Sequence, residues 1–172
     1  TGVSLGHRRL SIIDLEAGAQ PMVTDDGARA IVFNGEIYNY ADIGIRHQLD
    51  GLKTRSDTEV LLRLARLEDF SWLNELIGMF AFAIWFASAR SLLIVRDRVG
   101  IKPLYYCHRG GRLTFASEIK ALFADPRTPR TLNTSGLCEY LTYRNIAGEE
   151  TLLEGIQELL PGHLLIYRPD DD

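Results

Sequence analysis

Asn34, Gly35 and Glu36 follow directly on an apolar triplet, Ile31-Val32-Phe33. An Asn carboxamide and the bare backbone N–H of the next Gly can point at one small anionic oxygen. That donor pair is an oxyanion hole, which stabilises a tetrahedral intermediate in acyl transfer. The same dipeptide also suits a hairpin turn needing positive φ at both central positions. The residues that follow favour a different local account. Ile37-Tyr38 offers too little strand before Asn39-Tyr40-Ala41-Asp42, which reads as an N-cap with an acid at N3. The expectation is a strand, an Asn-Gly-Glu corner and a helix, with the polar residues at the carboxyl end of the strand.

Two other stretches carry residues of chemical interest. Gly6 to Asp14 mixes basic with β-branched residues, the pattern of a strand reaching a polar site, and places Arg9 there. Ser56-Asp57-Thr58-Glu59 reads as a capping box, with Asp57 at the positive end of a helix dipole. Val60, Leu61, Leu64 and Leu67 supply the apolar face of that helix.

The elements that must position these residues follow from periodicity and punctuation. Leu15 to Met22 reads as a loop, Asp25-Asp26-Gly27 as a turn, and Ala30 to Phe33 as the strand that delivers Asn34. A helix is expected from about Tyr40 to Leu49, and a short one over Trp72 to Ile77 stopped by Gly78. Met79 to Phe86 is apolar on both faces, so it should lie in the middle of a covered sheet, with Ser91 to Val95 as its antiparallel partner. Arg96-Asp97-Arg98 interrupts that run with charge. Leu104 to Cys107 and Leu113 to Ala116 form a hairpin about Arg109-Gly110-Gly111. Ser117 is expected to cap a helix through Ala124, Asn133 a further helix, and Leu160-Pro161-Gly162 to turn into a last strand over His163 to Arg168. Antiparallel strands in runs, separated by groups of helices, indicate an α+β layered domain. Residues 1–125 are expected to form its core and 126–172 its C-terminal part.

Composition bounds the function. The 172 residues are 46% hydrophobic and 24% charged, enough to bury a real core. A net charge of −4 leaves no electrostatic footprint for nucleic acid. No Lys/Arg run suggests a membrane surface, and the longest apolar run, Met79 to Ala87, is too short to span a bilayer. Cys107 and Cys138 lack metal-ligand spacing and read as reduced core residues of a cytoplasmic protein, although sequence alone leaves a disulfide open.

Taken together, the motifs Gly-His-Arg-Arg-Leu-Ser-Ile-Ile-Asp, Ala-Gly-Ala-Gln-Pro-Met, Phe-Asn-Gly-Glu-Ile-Tyr-Asn-Tyr, Ser-Asp-Thr-Glu-Val, Gly-Met-Phe-Ala-Phe-Ala, Arg-Asp-Arg-Val-Gly-Ile-Lys-Pro-Leu-Tyr-Tyr and Ala-Ser-Glu-Ile-Lys-Ala-Leu occur in this order. They resemble the glutaminase domain of glutamine-hydrolysing asparagine synthetases, over nearly the whole chain. The resemblance implies the N-terminal-nucleophile hydrolase fold, a four-layer αββα sandwich of antiparallel sheets. It also implies roles. Arg9 is similar to the Arg that pairs with the glutamine α-carboxylate, a bidentate task suited to guanidinium. Leu10, Ser11, Ile12 and Ile13 correspond to its pocket neighbours. Asn34 and Gly35 correspond to the oxyanion hole, and Glu36 and Asp57 to the acids that hold the α-ammonium. Singly, Asp57 reads as a helix cap; with one cation and a second acid it matches the zwitterionic end of an amino acid.

The chain departs from the family pattern in one respect. The family nucleophile is a Cys that becomes the first residue, with its own α-amine as base. By motif order it would lie upstream of Thr1. Cys107 and Cys138 lack an adjacent free α-amine, Ser11 sits inside a strand-like motif, and Thr1 falls well past the nucleophile's place. The Ser-Gly-Gly loop of an ATP-dependent synthetase half is also missing. The expectation is therefore an N-terminally truncated fragment, inactive alone and needing no cofactor of its own. ATP and Mg would belong to the synthetase domain of the parent, which would amidate aspartate with ammonia from L-glutamine. A homodimer is a further implication, and neither nucleic acid nor a membrane is an expected partner. The competing expectation is a non-catalytic scaffold like that of β-lactam-forming relatives.

Overall fold

The computed structural model describes residues 2–8, 19–67 and 69–169. A five-stranded antiparallel sheet runs in the order β1 (Met22–Val23), β2 (Arg29–Ile37), β3 (Gly78–Phe86), β4 (Ser91–Arg96) and β8 (Leu164–Tyr167). A second sheet has three strands, with β5 (Tyr105–Arg109) between β6 (Arg112–Ala116) and β7 (Gln157–Glu158). The helices are α1 (Tyr40–Arg46), α2 (Asp57–Leu64), α3 (Ile119–Leu122) and α4 (Thr134–Tyr143), with a 3-10 turn over Ser71–Glu75.

Three apolar clusters define the layers. Ile31, Phe33 and Ile37 of β2 pack with Phe80, Phe82 and Ile84 of β3 against Val60, Leu61 and Leu64 of α2 and Ile43 of α1. Trp72 is fully buried here, its ring stacked 6.3 Å from that of Phe82. Val32, Ala81, Ala83, Trp85 and Ile94 face the other way, towards Tyr106 and Phe115 of the second sheet and Leu104 and Leu159 at the ends of its strands. Cys107 and Ile156 then face Leu122 of α3 on the far side. Helices, sheet, sheet, helices is the α+β sandwich expected from the sequence. It explains why β3 is apolar on both faces, since one covers the helices and the other the second sheet.

β2 differs from its expected form. It passes straight through Asn34-Gly35-Glu36, pairing them with Ala81, Phe80 and Met79, and ends at Ile37. The corner expected at Asn-Gly-Glu is corrected to continuous strand, because β3 runs in register opposite all three residues. Alternation then decides the faces: Asn34 and Glu36 share the inter-sheet side with Val32, while Ile37 returns to the helical side.

Several end signals act differently from their local reading. The Asn39 side chain does not cap α1; its Nδ2 donates to Glu75 O at 2.9 Å and its Oδ1 accepts from Ile77 N–H at 2.9 Å. Ser56 does cap α2, accepting from Thr58 N–H at 3.2 Å. Glu59, however, reaches the incoming loop, accepting from Lys53 N–H at 3.0 Å and Thr54 N–H at 2.7 Å. Gly78 opens β3 and does not stop a helix. Asn133 caps α4 as expected, accepting from Gly136 N–H at 3.1 Å. Gly110 (φ +56) and Gly111 (φ +66) supply the two positive-φ positions of the tight β5–β6 hairpin.

The charged triplet after β4 ties the layers together. The buried Arg96 guanidinium donates to Lys102 O at 2.8 Å, Gly100 O at 2.9 Å and Leu159 O at 2.6 Å, and meets Glu158 of β7 at 2.6 Å. Asp97, 1% exposed, accepts backbone N–H bonds from Phe80, Val99, Ile101 and Lys102. Arg98 donates to Leu76 O at 2.9 Å and to Asn74 O, at the carbonyl end of the 3-10 turn. Among the described residues no helix is long and apolar enough to cross a membrane.

Candidate active site

A cleft of ≈ 730 Å³ opens between the two sheets. Its lining includes Asn34, Gly35, Glu36 and Asp57, four residues singled out by the sequence and brought together here. Arg9, Leu10, Ser11, Ile12 and Ile13 lie outside the described residues. Their neighbours Gly6, His7 and Arg8 line the cleft.

The edge of β2 that faces away from β3 is the chemically interesting one. β1 covers only its first part, pairing with Ile31 and Ala30. Beyond that, side chains take over the work of a strand. Phe33 N–H donates to Gln20 Oε1 at 2.6 Å, and Ile37 N–H to Asp57 Oδ2 at 3.0 Å. The N–H of Gly35 lies between them on the same edge, because alternate residues of a strand turn their amides the same way. Its partner across the ladder, Phe80, spends both backbone groups on Asp97: Phe80 N–H donates to Asp97 Oδ2, and Phe80 O accepts from Asp97 N–H. Two neighbouring donors are thus covered, and among the described residues nothing covers the one between them.

Only glycine fits at position 35. Its φ is +143, and a Cβ there would stand 2.0 Å from Met79 O and 2.7 Å from Phe80 Cα. Asn34 presents its carboxamide beside this amide, with Nδ2 donating to Ser117 Oγ at 3.4 Å. Asp57 is half-buried in the first turn of α2, where the helix dipole favours a carboxylate.

The cleft also holds groups that sequence reading assigned elsewhere. Ser117 was expected to cap α3, but the cap position falls to Glu118, which makes no side-chain cap bond. Gln20 lies in the expected loop, with its side chain at the edge of β2. Lys102, Glu118 and Lys120 line the opposite wall, the last two paired at 2.6 Å. No local pattern marks these residues, since their partners are remote in sequence. Neither cysteine reaches the cleft. Cys107 is buried beyond the second sheet, and burial pushes its thiol above the ordinary range. Cys138 is exposed on α4, which corrects its reading as a core residue, and both thiols are free.

An α+β sandwich of two antiparallel sheets between helices, with an Asn-Gly pair in the inter-sheet cleft, is the architecture that the sequence resemblance implies. The chain belongs to the glutamine amidotransferase domain family, which matches residues 1–171. It is 40% identical to asparagine synthetase [glutamine-hydrolyzing] 1 of Bacillus subtilis, over 99% of this chain and 27% of that protein. It is 44% identical to asparagine synthetase 2 of the same organism, over 76% of this chain and 18% of that protein. Asparagine synthetase B of Escherichia coli is 43% identical over 72% of this chain and 23% of its own length. The chain thus spans about a quarter or less of the relatives it matches. Among solved structures, the allosteric regulatory enzyme of purine biosynthesis superposes with a TM-score of 0.54 at 24% identity, over 86% of this chain and 28% of that one, a likeness that bears on the fold alone.

Proposed function

We propose that this chain is the glutamine-hydrolysing domain of an asparagine synthetase, which releases ammonia from glutamine to amidate an activated aspartate. The observation that carries the reading is the Gly35 N–H beside Asn34, uncovered among the described residues, in a cleft that also presents Glu36 and Asp57. Asn34 Nδ2 and Gly35 N–H take the oxyanion as a thiolate attacks the glutamine amide carbon. Glu36 and Asp57 hold the α-ammonium, while Arg9, flanked by Leu10, Ser11, Ile12 and Ile13, holds the α-carboxylate. The ammonium ends up between two carboxylates and the carboxylate against a guanidinium, which orients the side-chain amide towards the oxyanion donors.

The thiol, on this reading, comes from outside these 172 residues, which the burial of Cys107 beyond the second sheet and the exposure of Cys138 on α4 support. On this reading the 172 residues alone hydrolyse no glutamine. ATP and magnesium act in the synthetase portion of the parent, and we derive no step through them. No group of three His, Cys, Asp or Glu side chains among the described residues is placed to hold a metal. The same reading gives a cytoplasmic protein that can pair as a homodimer.

The test is glutamate release from L-glutamine by the complete protein, compared with its Glu36→Gln variant. The reading requires turnover in the parent and a glutamine KM raised about tenfold or more in the variant, as for a lost charged hydrogen bond. A complete protein that binds ATP and aspartate yet releases no glutamate would establish the scaffold reading instead.

A further inference from the structure

We propose that Ser117 is a positioning residue for the Asn34 carboxamide, an inference that rests on the amidotransferase reading of the cleft. The contact, Asn34 Nδ2 to Ser117 Oγ at 3.4 Å, spans 83 residues of sequence. It also spans the cleft, because Asn34 lies on β2 of the first sheet and Ser117 follows β6 of the second.

A primary carboxamide carries two N–H bonds on one planar nitrogen. The torsion that rotates this plane is soft and broad when nothing holds it. With one N–H committed to Ser117, the plane is fixed and the second N–H is left for a ligand in the cleft. No other side-chain partner of the Asn34 carboxamide is present among the described residues, so Ser117 sets its angle. The position of Ser117 supports this assignment independently. A serine just before a helix ordinarily caps it, yet here Glu118 occupies the cap position of α3 and no side chain accepts there.

A donor held in place before the reaction contributes most where charge develops, in the transition state. Loss of the Ser117 hydroxyl should therefore lower kcat and leave the binding of glutamine alone. The experiment is a double-mutant cycle on glutamine hydrolysis by the complete protein, with Ser117→Ala, Asn34→Ala and the two combined. Ser117→Ala should lose about 5- to 10-fold in kcat, the scale of one neutral hydrogen bond, with KM within about twofold. Ser117→Thr, which keeps the hydroxyl, should retain most of the rate. The double variant should be no slower than Asn34→Ala, since the serine acts through the asparagine. If Ser117→Ala fails to fold, Ser117→Cys keeps the volume with a much weaker acceptor and should show the same kcat loss. Wild-type kcat in the folded Ala or Cys variant, or losses that multiply in the double variant, would overturn the positioning role while leaving the cleft's reading intact. An Asn34→Ala variant with undiminished turnover would overturn both.

Discussion

Asp57 Oδ2 accepts the backbone N–H of Ile37 at 3.0 Å, so the first turn of α2 is fastened to the end of β2. Gln20 does the same for Phe33 N–H at 2.6 Å, two residues before Gly35. One side chain from a loop and one from the first turn of α2 thus stand in for the missing stretch of neighbouring strand. Among the described residues, the Gly35 amide between them is left uncovered.

On the proposed function Asp57 also holds the substrate ammonium, and one substitution separates that role from the bond to Ile37. Asp57→Asn keeps an oxygen acceptor for Ile37 but removes the charge. The melting temperature should stay near that of the wild type, while the KM for glutamine rises about tenfold or more, the worth of a charged contact. Asp57→Ala should lower both stability and affinity. An unchanged KM in Asp57→Asn would remove the ammonium contact from the account.

Gly35 and Gly78 each stand against the backbone of the facing strand. A Cβ on Gly35 would meet Met79 O at 2.0 Å, and one on Gly78 would meet Glu36 O at 2.1 Å. In both cases the obstacle is backbone, which cannot swing aside. Gly35→Ala should destabilise the protein by about 3 kcal/mol or more, from overpacking and strained φ together. A shift of the urea midpoint measures it. A variant as stable as the wild type would mean that the strands can separate at this point.

Asp97 predicts the response to acid. Burial works to raise its pKa, but backbone N–H groups of Lys102, Ile101, Phe80 and Val99 outweigh that and hold the carboxyl below its usual range. A folded pKa below the unfolded one adds stability above the ordinary carboxylate range, lost as pH falls through the folded value. Glu59 acts in the same direction: burial again opposes, and bonds from Lys53 and Thr54 prevail. Asp97→Asn should cost about 2–3 kcal/mol near neutral pH, with a smaller deficit below pH ~3. Urea unfolding at the two pH values reads this directly. A deficit that grows in acid would contradict it.

The layered core was legible because its signals are local. Met79 to Phe86 is apolar on both faces wherever it is read, and the Gly110-Gly111 hairpin announces itself. β1 and β7, two residues each, are too short to carry any period. The errors share one cause, a tertiary partner that local reading cannot supply. Asn34-Gly35 read as a corner because both residues favour turns, yet the ladder to β3 holds them extended. Asn39 and Ser117 read as caps, but each side chain is committed to a distant segment, Asn39 to the 3-10 turn and Ser117 to β2. Asn34, Gly35, Glu36 and Asp57, grouped from sequence by the chemistry of their residue types, line one cleft. Gln20 and Ser117 could not be grouped with them that way, since their contributions depend on where the fold carries them.

The central claim is that Asn34 and Gly35 receive the developing oxyanion, and the turnover of Asn34→Ala in the complete protein tests it most directly. The account predicts a kcat for glutamine hydrolysis lowered about 10²–10³-fold, with KM close to that of the wild type. A folded Asn34→Ala protein that hydrolyses glutamine at the wild-type rate would contradict it.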